Sequence, residues 1–140
     1  MFGRHASWRE SKVGHHSVAP ANAPAAVGPY SPGIIHDESR TIYVSGQIPI
    51  DPKTGAMVDA NIAVQTKQVL ENVRAVLESA GSGMDRVLKT TVYMVDLGDF
   101  GRMNEAYATF FPGVKPARAT IQVGRLPKDA LVEIEAIAAK

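Results

Sequence analysis

The sequence contains no cysteine, which excludes disulfides, thiolate nucleophiles and cysteine-ligated metal centres and is compatible with a reducing compartment. It also lacks an excess of either charge: 15 Lys and Arg against 14 Asp and Glu leave a formal net charge of +1. That balance gives no electrostatic footprint for nucleic acid or for an anionic membrane surface. Aromatic residues are scarce at 6 %, and no basic stripe is interleaved with stacking rings. No apolar run approaches the length of a membrane-spanning helix. The His15-His16 pair has no spaced partner cluster, so no metal site is expected. What remains is a chain of 140 residues, 45 % hydrophobic, long enough for one domain with a real core.

Residues 1–20 stand apart. They hold Arg4, Arg9 and Lys12, three of the four histidines (His5, His15 and His16) and one acid, Glu10. They show no apolar periodicity and lack the apolar centre of a secretory signal. A disordered tail is expected there, ahead of a single domain over residues 21–140. The expected compartment is cytoplasmic, with organelle targeting by the tail left open.

Residues 20–33 are rich in Pro, Ala and Gly and read as extended, irregular chain. Tyr30 lies among them, either as a ring over a sheet edge or as a phenol reaching into a pocket. Residues 34–36 and 41–45 read as strands joined by the polar turn Asp37-Glu38-Ser39-Arg40. Gly46, inside a strand pattern, predicts a bulge or a close backbone approach. Residues 51–55 form a turn, and 56–58 a short strand.

The three-four spacing of Ile62, Thr66, Val69, Leu70, Val73, Val76, Leu77 and Ala80 predicts a helix over 59–80. Asp59 or Asn61 caps it, Gly81 closes it, and Lys67, Glu71, Arg74 and Glu78 form its solvated face. Residues 86–95 are rich in β-branched side chains and predict a strand. A second helix is expected from Asp99 to about Phe111, with Phe100, Met103, Tyr107 and Phe110 in the core and Pro112-Gly113 as the stop. Asn104 lies between Phe100 and Tyr107, as either a solvated amide or a buried hydrogen-bonding group.

Residues 116–140 carry two period-two runs around a turn-like segment, 125–129, and predict a β-hairpin or a similar antiparallel pair. One face is apolar throughout. The other carries Arg118, Thr120, Gln122, Glu133 and Glu135 among small or apolar neighbours. A guanidinium in that setting can bind a carboxylate bidentately. The pattern by itself favours a solvated face with a cross-strand Arg–Glu pair. The element order predicts an α+β fold, with two helices on one face of a mixed β-sheet. The strand faces bearing Arg118 and Glu133 would then lie away from the helices. They are more apolar than a free surface needs, which predicts an oligomer with sites at subunit interfaces.

Several of these segments resemble the Rid family, also called YjgF or L-PSP. They are Ala23-Pro24-Ala25-Ala26-Val27-Gly28-Pro29-Tyr30-Ser31, Val44-Ser45-Gly46-Gln47-Ile48-Pro49, Lys89-Thr90-Thr91-Val92-Tyr93, Met103-Asn104-Glu105-Ala106-Tyr107, Pro116-Ala117-Arg118-Ala119, and Arg125-Leu126-Pro127-Lys128 followed by Glu133-Ile134-Glu135-Ala136. The resemblance runs from about Asn22 to the C-terminus. It implies a chorismate-mutase-like α+β fold, assembled as a homotrimer with clefts between subunits. It also implies hydrolysis of the 2-enamine and 2-imino acids released by serine and threonine dehydratases, giving 2-keto acids and ammonia. Arg118 matches the key arginine of the deaminase subgroup, and Tyr30, Ser45, Gly46, Asn104 and Glu133 match cleft positions. Two positions depart from the family. Pro32 stands where many relatives have Gln, and Thr120 where bacterial relatives often have Cys.

On that basis Arg118 is expected to hold the substrate carboxylate, and Glu133 to position or deprotonate the attacking water. Tyr30, Ser45, Gly46, Asn104 and Thr120 would line the site. The imine is intrinsically reactive, so no metal or organic cofactor is expected. Two other classes compete. One is an endoribonuclease or translation inhibitor, for which a histidine acid–base pair is wanting because only His36 lies outside the tail. The other is a non-catalytic binder of small carboxylates.

Overall fold

The computed structural model describes residues 14–140. Six strands form one mixed sheet: β1 His15–Val18, β2 Gly33–His36, β3 Thr41–Gln47, β4 Val87–Met94, β5 Ala117–Gln122 and β6 Val132–Ala139. Their spatial order is β1-β2-β3-β6-β4-β5, antiparallel except for the parallel β4–β5 pair. Two helices, α1 Ile62–Ser79 and α2 Phe100–Ala108, pack against each other, and α1 lies on β3 and β6. The Tyr107 hydroxyl of α2 meets Thr90 of β4, which places both helices on one face. The α+β architecture expected from the element order is therefore present.

Helix α1 forms where its spacing predicts. The Asn61 side chain caps it, accepting from the Ala63 and Val64 amides at 2.9 and 3.1 Å, and Gly81 follows at φ 79°, a conformation glycine adopts without a Cβ penalty. Val69, Leu70, Val73, Val76 and Leu77 are fully buried against Ile42, Val92, Ile134 and Val132 in one core. Each such side chain contributes about 1.5–3 kcal/mol relative to exposure. Three polar residues of α1 are also buried, Gln65, Thr66 and Asn72. Gln65 accepts from the Leu131 amide at 2.8 Å, and Asn72 donates to the Ile48 and Ile50 carbonyls at 3.1 and 2.9 Å. Gln65 and Asn72 pin α1 to the start of β6 and to the loop after β3, satisfying backbone groups that burial would otherwise leave unpaired.

Several expectations are corrected. The predicted hairpin of residues 116–140 does not form, because β4 lies between β5 and β6. The β-branched β4 suits the sheet interior, whereas the small and polar β5, exposed or half-buried throughout, suits an edge. Lys128 and Asp129, at φ 54° and 55°, turn the chain back before β6. The expected tail of residues 1–20 is not wholly outside the domain. Residues 1–13 lie outside the described residues, but His15–Val18 pairs with β2 as an edge strand. Backbone pairing holds this strand, with Val18 its one buried side chain, so side-chain periodicity carried no signal of it.

The second helix is shorter than expected, and its Asp99 carboxylate binds Arg102 at 2.6 Å instead of capping the backbone. Phe100 is 41 % exposed, not core. Residues 56–58 contribute only a single bridge, Ile50 to Met57.

The sheet's two faces follow from register, since paired residues share a face. Arg118 pairs with Thr90, and Thr90 with Ala136. Thr90 and Ala136 are buried on the helix side. Arg118 therefore faces the helices, not the open side as the hairpin reading implied. Glu133 has the opposite parity on β6 and pairs with Tyr93 on the open face.

Candidate active site

Arg118 enters at the edge of the sheet and extends its guanidinium over α2. Its Cζ lies 4.8 Å from the Tyr107 ring centroid and 5.6 Å from that of Phe100, within range of cation–π attraction. The Tyr107 hydroxyl is fixed in turn by Thr90 Oγ1 at 2.7 Å. Burial pushes the Tyr107 phenol above its ordinary pKa, although the Thr90 bond and the neighbouring Arg118 guanidinium oppose this. Among the described residues, none of the ion pairs involves Arg118. The predicted cross-strand Arg–Glu pair is absent because Arg118 and the two β6 glutamates occupy opposite faces.

A cleft of about 280 Å³ opens at this guanidinium, lined by Asn104, Tyr107, Ala108, Phe111, Pro116 and Arg118, with Lys115 at its rim. Asn104 Oδ1 and Thr120 Oγ1 are buried without a hydrogen-bond partner among the described residues. Thr66 Oγ1 on α1 is also unpaired, so a missing partner alone does not mark a site. A buried acceptor left unmade costs about 1–3 kcal/mol, and the position of these two oxygens near the Arg118 guanidinium makes them candidates to meet a ligand. Asn104 is thus neither fully solvated nor fully buried: the residue is half-buried, and its carbonyl oxygen is buried without a partner. The structure brings together Arg118 and Asn104 of the expected set in this cleft, and Thr120 lies two residues along β5 on the same face.

The remaining expected residues gather elsewhere. Between Val44 and Gln47 the β3–β6 register shifts, as the glycine at position 46 predicted. A Cβ on Gly46 would lie 2.9 Å from Glu133 Cδ, so the close approach is made by the Glu133 side chain. Gly46 and Tyr30 line one narrow crevice of about 20 Å³. Tyr30 is 48 % exposed, and its hydroxyl accepts from the Val27 amide at 3.2 Å. Ser45 Oγ donates to the Ser31 carbonyl at 2.6 Å, tying the Tyr30 loop to β3. Burial raises the Glu133 carboxyl above its ordinary pKa, and the negative charge of Glu135 adds to the shift. Glu135 itself accepts from the Tyr93 hydroxyl at 2.7 Å.

Thr90, Phe100, Phe111, Lys115 and the Tyr93–Glu135 pair were not singled out from the sequence as site residues. For the helix residues a signal existed: Phe100, Asn104, Tyr107 and Phe111 follow helical i, i+4, i+7, i+11 spacing and form one stripe. For Thr90 and Tyr93 none existed, because their partners are distant in sequence. No group of three or more His, Asp or Glu side chains is arranged to hold a metal ion among the described residues. None of the helices there is long and apolar enough to cross a membrane.

Comparison with known proteins agrees with this architecture. The family described as Endoribonuclease L-PSP matches residues 20–140. A RutC family protein of Pyrococcus horikoshii is 54 % identical over 119 residues, 85 % of this chain and 93 % of that protein. A 2-iminobutanoate/2-iminopropanoate deaminase of Rattus norvegicus is 49 % identical over 121 residues, 86 % of this chain and 87 % of its own. The crystal structure of Escherichia coli TdcF with bound serine superposes with a TM-score of 0.83 at 41 % identity, covering 89 % of this chain and 98 % of that one. Sequence motifs, sheet topology and these relatives agree that the chain belongs to the Rid, or L-PSP, family.

Proposed function

We propose that this protein hydrolyses small 2-imino acids to 2-keto acids and ammonia. The observation that carries this reading is the unpaired Arg118 guanidinium, held in an otherwise largely apolar cleft with the orphaned oxygens of Asn104 and Thr120 nearby. The guanidinium forks onto the substrate carboxylate. Asn104 Oδ1 accepts from the imine N–H, and Thr120 Oγ1 donates to whichever carboxylate oxygen remains. Water adds to the imine carbon, forming a C–O bond. The C–N bond of the resulting carbinolamine then breaks, and nitrogen leaves as ammonia with the proton returned to it.

Glu133 is the acid–base group in this reading, with a pKa raised toward the working range. In one chain it lies on the opposite sheet face from Arg118, with β4 between their two strands. The two meet one substrate only when a second copy supplies its Glu133 surface, together with Tyr30, Ser45 and Gly46. Exposed Tyr43 and Ile121, with Ile34 and Ile137, give the open face an apolar surface for such a neighbour, and a cyclic homotrimer repeats the arrangement three times. Support comes also from the rat relative named as an imino-acid deaminase and from the serine bound to TdcF.

The test is competition with semicarbazide for 2-iminobutanoate released by threonine dehydratase. The protein lowers trapping and Arg118→Ala of equal folded content does not. Undiminished trapping by the wild type removes the deaminase reading and leaves a carboxylate binder.

One observation favours a second reading, cleavage of RNA. His15 lies opposite His36 across β1 and β2, a pair of histidines that the sequence reading, which left His15 in the tail, did not bring together. Against it, His36 Nδ1 is engaged by Ser39 Oγ at 2.6 Å. Labelled RNA with a His36→Ala control decides it.

A further inference from the structure

The cleft at Arg118 carries a second cation that the proposed reaction of a monocarboxylate does not use. Lys115 Nζ donates to the Phe111 carbonyl at 2.9 Å. That carbonyl lies just beyond the C-terminal end of α2, where backbone acceptors lack helical partners and attract positive charge. The bond anchors the ammonium at the cleft rim and uses one of its three protons, leaving two donors. No carboxylate pairs with Lys115 or with Arg118 among the described residues. Pro116, with its fixed φ, separates Lys115 from the start of β5 and stiffens the backbone that carries the two cations. The wall they share includes Ala108, Phe111 and Pro116, apolar surface against which a short carbon chain can pack.

An imino acid with one carboxylate satisfies Arg118 and leaves Lys115 idle beside apolar surface. A dianion satisfies both. Lys115 and Arg118 lie three positions apart and line the same cleft, so one ligand with a carboxylate at each end of a short carbon chain can reach both. We propose that the site selects 2-imino dicarboxylates, with Arg118 on the carboxylate beside the imine and Lys115 on the distal one. This rests on the deaminase reading for the reaction itself, in which a four-carbon 2-imino dicarboxylate and water give oxaloacetate and ammonia. The reaction supplying such a substrate is oxidation of an acidic amino acid at its α-carbon, whereas dehydration of a hydroxy amino acid supplies the monocarboxylate. Lys115 is therefore a specificity-determining residue for the distal group.

Calorimetry with the full-length protein tests the selection separately from the chemistry. The probes are oxaloacetate and 2-oxobutanoate, four-carbon 2-keto acids that differ in their terminal group. The wild type is expected to bind oxaloacetate about tenfold more tightly, the ratio that one additional charge-assisted contact of about 1.4 kcal/mol gives. Lys115→Met keeps the stem, loses the charge and brings the ratio near one. Lys115→Arg retains the preference. Equal affinities in the wild type, or a preference that survives Lys115→Met, overturn the proposal. Imine turnover is read in parallel by semicarbazide competition. A protein that prefers oxaloacetate through Lys115 but consumes no imine keeps this inference and loses the deaminase reading.

Discussion

The Tyr107 ring stands 4.8 Å beneath the Arg118 guanidinium carbon while its hydroxyl is held by Thr90 at 2.7 Å. The ring therefore orients the cation, and the buried hydroxyl pair orients the ring. Tyr107→Phe keeps the cation–π face but leaves Thr90 Oγ1 unpaired in the core. It is expected to lower stability by about 1–2 kcal/mol in urea unfolding while retaining most imine turnover. Arg118→Lys keeps the charge and loses the planar fork. Its turnover falls by roughly 100-fold, the cost of misplacing a reacting group. Wild-type turnover by Arg118→Lys contradicts the bidentate role.

Gly46 predicts a different separation of fold from activity. A methyl there meets Glu133 Cδ at 2.9 Å and Oε2 at 3.1 Å. These atoms are the end of a flexible side chain, so the carboxylate can move aside without backbone rearrangement. Gly46→Ala should fold with stability within about 1 kcal/mol of the wild type and lose turnover because Glu133 is displaced. Parallel urea melts and trapping assays measure both. Retained turnover in a folded Gly46→Ala removes Glu133 from the reaction.

The raised pKa of Glu133 gives a pH dependence of known sign. The folded chain binds this proton more tightly than the unfolded chain, for which the ordinary value is 4.5. The stabilising contribution is thus fully present below 4.5 and is lost as pH rises through the higher folded value. Unfolding midpoints of the wild type should decline across that window relative to Glu133→Gln, which lacks the titration. Turnover should rise over the same window as the carboxylate base forms. Glu135→Gln removes the neighbouring negative charge and should move this rise to lower pH. A turnover profile unmoved by Glu135→Gln separates the two carboxylates.

Much of the fold was legible locally. The three-four stripe of α1, its Asn61 cap and Gly81, the β-branched run of β4 and the glycine-marked bulge at Gly46 are each stated by residues within a few positions of one another. The motifs around Arg118, Asn104 and Glu133 were also readable as site candidates. What was not readable depended on which strand lies beside which. Two alternating runs joined by a turn look the same whether they pair directly or admit β4 between them, and that choice reversed the face assigned to Arg118. Gln65 and Asn72 look like ordinary polar helix residues until their partners, 66 and 22–24 residues away in sequence, are in place.

The sequence by itself determined the periodicities, the caps and turns, the absence of thiol chemistry, and the residue types available to bind a carboxylate. These are local properties, set by backbone geometry and by the chemistry of each side chain. Tertiary structure decided that β4 separates β5 from β6, that Arg118 looks toward Tyr107 and Glu133 toward Gly46, and that Lys115 shares a cleft with Arg118. Those relations depend on strand order and register. A shift of one strand or one residue moves a side chain to the other face of the sheet without changing the alternation along its own strand.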